Sequence, residues 1–366
     1  MVGSSQGLKK MIRESVFMSQ LTDGFVVSVV IVCYNSKKWL SKCLDSVKSQ
    51  TIFSRLEVII VDNASQDDSE ACAKLLTKDW PNARVLQTGA NIGYCAANNR
   101  GAEIASGTYL YLLNPDAWME DDCLEQFVTI VEKERIGCAG GLVLEYDDNT
   151  VQAKGCHGFD FCGNGVTRRT GRDPCLLFFI HGFFFIRREL YMELGGLDES
   201  LFMYGEEMDL AWRVWISGGG ILPVLTARVH HRGAASVNPV GETRIIENRT
   251  SANTRFLANR NSLVILAKNC HSFLLLMILP CILIIMIECL FFMIMTREFH
   301  AVIKTYMNVF SDCWRLRHHI FEERSRIKSF RKHGDIWMLR FFRLGFGRWY
   351  EIESIVKRGF PKINKA

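Results

Sequence analysis

Five short polar clusters in this 366-residue chain hold side chains able to do chemistry: Asp62-Asn63, Asn91-Ile92-Gly93, Asn114-Pro115-Asp116, Glu206-Glu207 and His230-His231-Arg232. A carboxylate that ends a strand, as Asp62 does, can accept a hydrogen bond from a nucleobase N–H. It can equally cap the helix that follows, a role open to Ser65 as well. Asn91 and Gly93 fit a tight turn, which either presents polar groups to a ligand or merely starts a helix. Asp116 is a single carboxylate. That is enough for Mg²⁺, which takes one or two carboxylates and completes its shell with phosphate oxygens and water, and it also suits an N-cap. One of Glu206 and Glu207 can take a proton from an attacking hydroxyl, although helix N-termini favour carboxylates for dipole reasons alone. On a helix Glu206 and Asp209 share a face, and Glu207 points about 100° away. Arg213 follows Asp209 at the i,i+4 spacing of a structural ion pair.

The elements that must position these groups read as an alternation. Phe25–Cys33 and Leu56–Val61 are unbroken apolar, β-branched runs, as expected of strands buried on both faces of a parallel sheet. Ala83–Gln87 and Tyr109–Leu113 are further strands. Helices are expected from Asn35-Ser36 to about Ser49, from Ser65 to Asp68 onward, over Tyr94–Ile104 and from about Asp121. The polar clusters then fall at strand C-termini, the ligand-binding edge of open α/β sheets. Further on, Leu177–Arg187 reads as a strand, Glu206–Ile216 as a helix, Ile221–Leu225 and Ala227–His231 as two short strands, residues 234–250 as a loop, and Ser251–Lys268 as a helix.

Val30–Asn35 (VIVCYN), Leu44–Val47 with Gln50, Val61–Ser65 (VDNAS), Asn91–Tyr94 (NIGY), Leu112–Ala117 (LNPDA), Gly195–Glu199 (GGLDE), Phe202–Leu210 (FMYGEEMDL) with Arg213, and Val229–Ser236 occur in that order. As an ordered set they resemble the family 2 glycosyltransferases, within the rhamnosyltransferase-like branch, over about residues 25–330. The resemblance implies an α/β GT-A (nucleotide-diphospho-sugar transferase) fold and an inverting hexosyl transfer. The donor would be a nucleotide-diphosphate sugar, with rhamnose the branch's own sugar. It places Asp62 on the nucleobase with Tyr34 stacking nearby, and Asn35, Asn63, Asn91 and Gly93 around the nucleotide. Asp116 and His231 would meet Mg²⁺ or Mn²⁺. Glu207 would be the base, with Glu206 its rival. Asn114, Asp209, Arg213 and Arg232 would position donor and acceptor. Two positions depart from the family pattern: Asn114 stands where relatives carry the first Asp of Asp-x-Asp, and Glu207 where they carry Asp. These departures keep an inactive, scaffold-like relative in view, and a nucleotidyltransferase is a further alternative.

Composition bounds the rest. Hydrophobic residues make up 48% and charged residues 23%, which excludes wholesale disorder. No G-x-G-x-x-G follows the first strand, where the turn reads Cys33-Tyr34-Asn35-Ser36, so a dinucleotide-binding domain is excluded. No nucleic-acid-binding motif is present. Thirteen cysteines, an odd number without a framework spacing, fit free thiols in a reducing compartment. Cys156, His157, Cys162, Cys175 and His181 match no usual zinc spacing. Residues 1–24 read as a leader without a signal-peptide core, residues 25–250 as the catalytic domain, and residues 251–366 as a helical, membrane-associated extension. The extension contains the apolar segment 273–295, interrupted by Pro280 and Glu288. Residues 297–366 carry 16 Lys and Arg against 7 Asp and Glu, whereas residues 1–250 carry 25 against 31. A basic, aromatic tail after an apolar segment suits an anionic lipid surface. A single span would place that tail outside the cytosol, against the positive-inside tendency, so an interfacial or re-entrant segment at the cytoplasmic face of a membrane is expected. Membrane contact in turn points to a lipid-linked or saccharide acceptor.

Overall fold

The apolar runs become the parallel half of one sheet. The computed structural model describes residues 24–167, 176–180, 182–235, 242–243, 245–345, 347 and 349–363. The expected leader, apart from Gly24, lies outside the described residues, as do Cys175 and His181. β1 (Val27–Cys33), α1 (Lys37–Lys48), β2 (Leu56–Asp62), α2 (Ser69–Leu76), β3 (Ala83–Gln87), α3 (Tyr94–Ile104) and β4 (Tyr109–Leu113) follow in the expected order. Every residue of β1 and β2 is buried, which is why neither shows an apolar/polar alternation. Cys33 pairs with Asp62 and Ile31 with Leu113, so residues 34–35, 62–63 and 114–116 emerge at one sheet edge.

The chain continues through β5 (Ala117–Met119), α4 (Cys123–Glu134), β6 (Cys138–Glu145), β7 (Val151–Ala153), a small hairpin of β8 (Cys156–Phe159) and β9 (Gly165–Thr167), β10 (Phe185–Arg187), α5 (Arg188–Glu193), α6 (Glu206–Ile216) and β11 (Ile221–His231). The nine-stranded sheet has the order β3-β2-β1-β4-β10-β6-β11-β5, with β7 paired to β6. β10 is antiparallel to both β4 and β6, so the sheet is mixed rather than parallel throughout. Two expectations are corrected here. The strand expected over 177–187 is only Phe185–Arg187. Phe178 instead packs on Phe159, Trp212 and Phe341, and the carbonyls of Leu177 and Phe178 accept from the Trp215 indole, so this stretch serves as core. The two short strands expected over 221–231 are one strand. A bulge between Val224 and Arg228 absorbs the extra residues, and both halves stay paired with β6.

Beyond residue 250 the chain is helical: α7 (Ala252–Asn269), α8 (Ile278–Thr296), α9 (Phe299–Arg315) and α10 (Arg317–Phe330). The Ser251 hydroxyl accepts from the Thr254 N–H and caps α7. α7 is buried nearly all round, from Leu257 and Asn259 through Leu266 to Asn269, so it is a core helix shared by the two halves of the chain. A 3₁₀ turn, Phe273–Met277, leads into α8. Pro280 is the third residue of α8, where its missing N–H costs no intrahelical bond. One side of α8 buries Cys281, Ile285 and Phe292. On that side Glu288 accepts from Arg255 (3.2 Å), Asn259 (3.3 Å) and the Tyr306 hydroxyl (2.8 Å). The other side exposes Leu279, Leu283, Met286, Leu290 and Ile294. Among the described residues, Phe273–Thr296 is the one helical segment long and apolar enough to cross a bilayer, by length and composition.

A buried charge network ties α6 to these helices. Asp209 receives Arg213 Nη2 at 2.6 Å, Asn269 Nδ2 at 2.7 Å and Lys268 Nζ at 2.9 Å, and all four groups are fully or almost fully buried. Arg213 Nη1 also donates to the Leu194 and Gly196 carbonyls, each at 2.7 Å. Lys268 pairs in addition with Asp198, which accepts from His319 Nε2 at 3.0 Å. Removing one charge from such a set leaves the others uncompensated. Arg213→Leu is therefore expected to lower the unfolding free energy by about 3–5 kcal/mol. Lys37→Ala, which breaks an exposed pair with Asp68, should change it by less than about 0.5 kcal/mol. Urea unfolding of both variants checks the contrast.

Candidate active site

The C-terminal edges of β1, β2 and β4 form one wall of the site. Asp62 closes β2 fully buried. Its Oδ2 accepts from the Ser65 N–H (3.0 Å) and the Gln87 amide (2.8 Å), so the carboxylate does stabilise the turn that follows. Its Oδ1, however, is buried with no hydrogen-bond partner in the protein, an acceptor left for something else. Tyr34 stands at the same edge with 39% of its surface exposed. The asparagines nearby are occupied with one another. Asn63 Nδ2 donates to Asn91 Oδ1 (2.9 Å), Asn63 Oδ1 accepts from the Ile92 N–H (2.9 Å), and Asn91 Oδ1 also accepts from the Gly93 N–H (3.1 Å). Asn35 Oδ1 accepts from the Gln66 N–H at 2.7 Å. Gly93 has φ +90°, and a Cβ there would stand 2.6 Å from the Phe202 ring. Asn35, Asn63, Asn91 and Gly93 thus hold the loops around Asp62 in shape through contacts within the protein.

β5 and β11 build the second wall. Ala117 pairs with His231, and the Arg232 N–H donates to the Asp116 carbonyl at 3.0 Å. That register sets His231 Nε2 3.5 Å from Asp116 Oδ1. His231 Nδ1 lies 3.1 Å from Gln152 Oε1, an acceptor, so Nδ1 carries a proton and Nε2 is the ring nitrogen that faces Asp116. Burial pushes the Asp116 carboxyl up, but His231 and the Ala235 N–H outweigh it and hold the group below its ordinary range. Arg232 is buried beside Asp116 and counter-charges it, with Nη1 on the Gly233 carbonyl at 2.9 Å. His230, on the opposite face of the strand, stacks on Trp118 at 3.7 Å and is a packing residue. Asn114 Oδ1 accepts from the Tyr94 hydroxyl at 2.9 Å.

The N-terminus of α6 supplies the third part. Glu206 is buried and its Oε2 has no partner, while Glu207 keeps partial access to solvent. Burial raises both carboxyls, Glu206 well above the usual range with Glu207 adding to the effect. The Glu207 carboxylate is partly stabilised by the backbone N–H of Glu207 and of Gly182 and by the charge of His231, which places it within electrostatic reach of that ring. Asp209 and Arg213 point the other way, into the buried network. The i,i+4 pair describes them, and a direct hold on donor or acceptor does not. Tyr94, Gln152 and Lys268 were missed from the sequence.

The profile of the family described as "Glycosyl transferase family 2" matches residues 28–195. Those residues are a family 2 glycosyltransferase domain. They carry Asp62 and Asp116; the His231 and Glu207 parts of the site lie beyond them. A Haloferax volcanii relative, glycosyltransferase AglE, is 36% identical over 118 residues, 32% of this chain and 39% of the relative. The N-acetylglucosaminyl-diphospho-decaprenol L-rhamnosyltransferase of Mycobacterium tuberculosis is 27% identical over 275 residues, 65% of this chain and 85% of that enzyme. The chain thus spans under half the length of the first curated relatives it matches. Among solved structures, the mannosyltransferase of Pyrobaculum calidifontis in complex with GDP-Man and Mn²⁺ superposes with a TM-score of 0.49 at 17% identity, covering 71% of this chain and 70% of that one.

The electrostatics of this site have a measurable consequence. A carboxyl whose folded pKa is raised binds more protons folded than unfolded, so stability falls as pH rises from about 4.3 toward the folded value. Glu206→Gln removes that slope. Its melting temperature is expected to match the wild type near pH 4 and to exceed it at pH 8, as thermal scans across that range would show.

Proposed function

We propose that this protein is a GT-A glycosyltransferase that moves a sugar, with inversion, from a nucleotide-diphosphate donor to an acceptor hydroxyl. The observation that carries the reading is the convergence at one edge of three groups: the unpartnered Asp62 Oδ1, the Asp116–His231 pair and the raised carboxyl of Glu207. Asp62 accepts from a base N–H and Tyr34 offers its exposed ring for stacking. Glu207 takes the acceptor proton as the hydroxyl oxygen bonds to the anomeric carbon and the bond to the diphosphate oxygen breaks, releasing nucleoside diphosphate. The carboxyl raised by burial is suited to that task, because a base of ordinary carboxylate strength would be too weak near neutral pH.

Asp116 Oδ1 and His231 Nε2, 3.5 Å apart, would form a donor set of one oxygen and one nitrogen, which fits a divalent cation that also takes diphosphate oxygens and water. The imidazole favours Mn²⁺ over Mg²⁺. Such an ion would stabilise charge on the leaving diphosphate. Among the described residues no third His, Cys, Asp or Glu joins the pair. Asn114, spent on Tyr94, does not replace the missing carboxylate.

A membrane surface at the cytoplasmic face, and a lipid-linked saccharide as acceptor, complete the proposal. Support comes from the exposed apolar side of α8 and from the mycobacterial relative, whose named substrate is a diphospho-decaprenol. α8 packs along α7, a core helix, so it suits lying on the membrane better than crossing it.

The experiment is nucleoside-diphosphate release by the detergent-solubilised protein with dTDP-, UDP- and GDP-sugars, Mn²⁺ or Mg²⁺ and a lipid extract. One donor should be consumed. Glu207→Gln should lower the rate by roughly 10²–10⁴-fold, and Asp116→Ala should abolish the dependence on metal. Activity that survives Glu207→Gln at the wild-type rate would remove this base. Release of inorganic diphosphate from an NTP would instead mark a nucleotidyltransferase. For the membrane, a doubly substituted Leu279→Glu/Leu283→Glu protein should float with anionic vesicles at least about tenfold less than the wild type.

A further inference from the structure

The segment that delivers Glu206 and Glu207 to the site is conformationally unfavourable on its own. A single 3₁₀ turn, Glu199–Leu201, is followed by Phe202 at φ +64°, Tyr204 at φ +74° and Gly205 at φ +84°. Two of those three are large non-glycine residues in the left-handed region, so the loop persists only if its surroundings impose it. The imposition comes from α7. Asn261, 1% exposed, sets its Nδ2 at 2.9 Å from the Leu201 carbonyl, 2.8 Å from that of Met203 and 2.6 Å from that of Tyr204. Its Oδ1 accepts from Arg260 Nε at 2.8 Å, which fixes the amide with its N–H side toward the loop. Arg260 Nη2 donates to the Ser200 and Leu201 carbonyls at 2.7 and 3.0 Å. One turn further, Ile265 packs where a Gly205 Cβ would lie, 2.8 Å away.

We propose that Asn261, seconded by Arg260, is a positioning residue: it clamps the carbonyls of Ser200, Leu201, Met203 and Tyr204 and thereby sets the rotation at which α6 presents Glu207 to the site. The effect on transfer rests on the glycosyltransferase reading above. The clamp itself does not, and the test separates the two.

The full-length protein in detergent is compared with Asn261→Asp, which keeps the volume but turns a second acceptor toward three carbonyls, and with Asn261→Gln, which keeps the amide. Ser262→Ala, on the same helix and bonded only to the Ala258 carbonyl, is the control. Amide hydrogen exchange over residues 199–208 should accelerate at least about tenfold in Asn261→Asp, with exchange elsewhere in α7 unchanged. With a donor accepted by the wild type, kcat should fall roughly 100-fold while donor KM stays within about twofold. Asn261→Gln should recover part of the loss. Exchange and kcat both at wild-type values would overturn the clamp. Faster exchange with kcat unchanged would overturn the positioning claim. A parallel fall in kcat, donor binding and melting temperature would reduce Asn261 to a stability residue. A wild type that consumes no donor would count against the transferase reading, and the exchange comparison would still decide the clamp. If Asn261→Asp does not fold, Arg260→Gln carries the same readouts, because it leaves Asn261 in place and removes the bonds to Ser200 and Leu201.

Discussion

Asp209 has no access to water, and its ionised form persists because Arg213, Lys268 and Asn269 close around it. Burial alone would push this carboxyl up, but Arg213 and Lys268 hold it down. Each partner is in turn committed elsewhere: Arg213 to the carbonyls of Leu194 and Gly196, Lys268 to Asp198, and Asp198 to His319 on α10. Because no member can move without stranding another, α6 is fixed in rotation against α5, α7 and α10 together. That fixity matters at the other end of the same helix, where Glu206 and Glu207 stand.

The site is accordingly made of two kinds of structure. The strand edges bring Asp62, Tyr34 and Asp116 together through sheet register, which depends on backbone pairing and buried aliphatic packing. The α6 side depends on buried charge and on amide-to-carbonyl bonds from α7. The two meet where Gly93 lies under Phe202 and the Cys95 N–H donates to the Phe202 carbonyl at 3.1 Å, a contact that admits no side chain at position 93. Asp62 Oδ1 in the first part and Glu206 Oε2 in the second are buried without a hydrogen-bond partner, as are Ser200 Oγ and Asn269 Oδ1 on the α6 side.

β1 to β4 and α6 were legible in the sequence nearly to the residue, because unbroken β-branched runs and a strongly periodic helix leave few alternatives. The Leu177–Arg187 run misled for a related reason. Phenylalanines suit a strand and a packed cluster equally, and only tertiary contact with Trp212 and Phe341 decides between them. Asp62, Asp116, His231 and Glu207 are proposed through motif order, and the structure brings Asp116 and His231 side by side. The asparagines were over-read: Asn63 and Asn91, 28 positions apart, satisfy each other, and no local pattern reports that. Asn261 and Lys268 were invisible because their partners lie about 60 residues upstream, beyond the reach of helical periodicity.

Asn259 and Asn261 lie two residues apart on α7 and so point about 200° away from each other around its axis. Asn261 grips the loop that leads into Glu206 and Glu207, and Asn259 grips Glu288 of α8, whose far side is bare hydrocarbon. Two helix widths, α7 and then α8, about 20 Å together, therefore separate that loop from the exposed apolar surface. Whatever covers the bare side of α8 is therefore held at a fixed distance from that loop, because α7 is locked to both by side-chain hydrogen bonds.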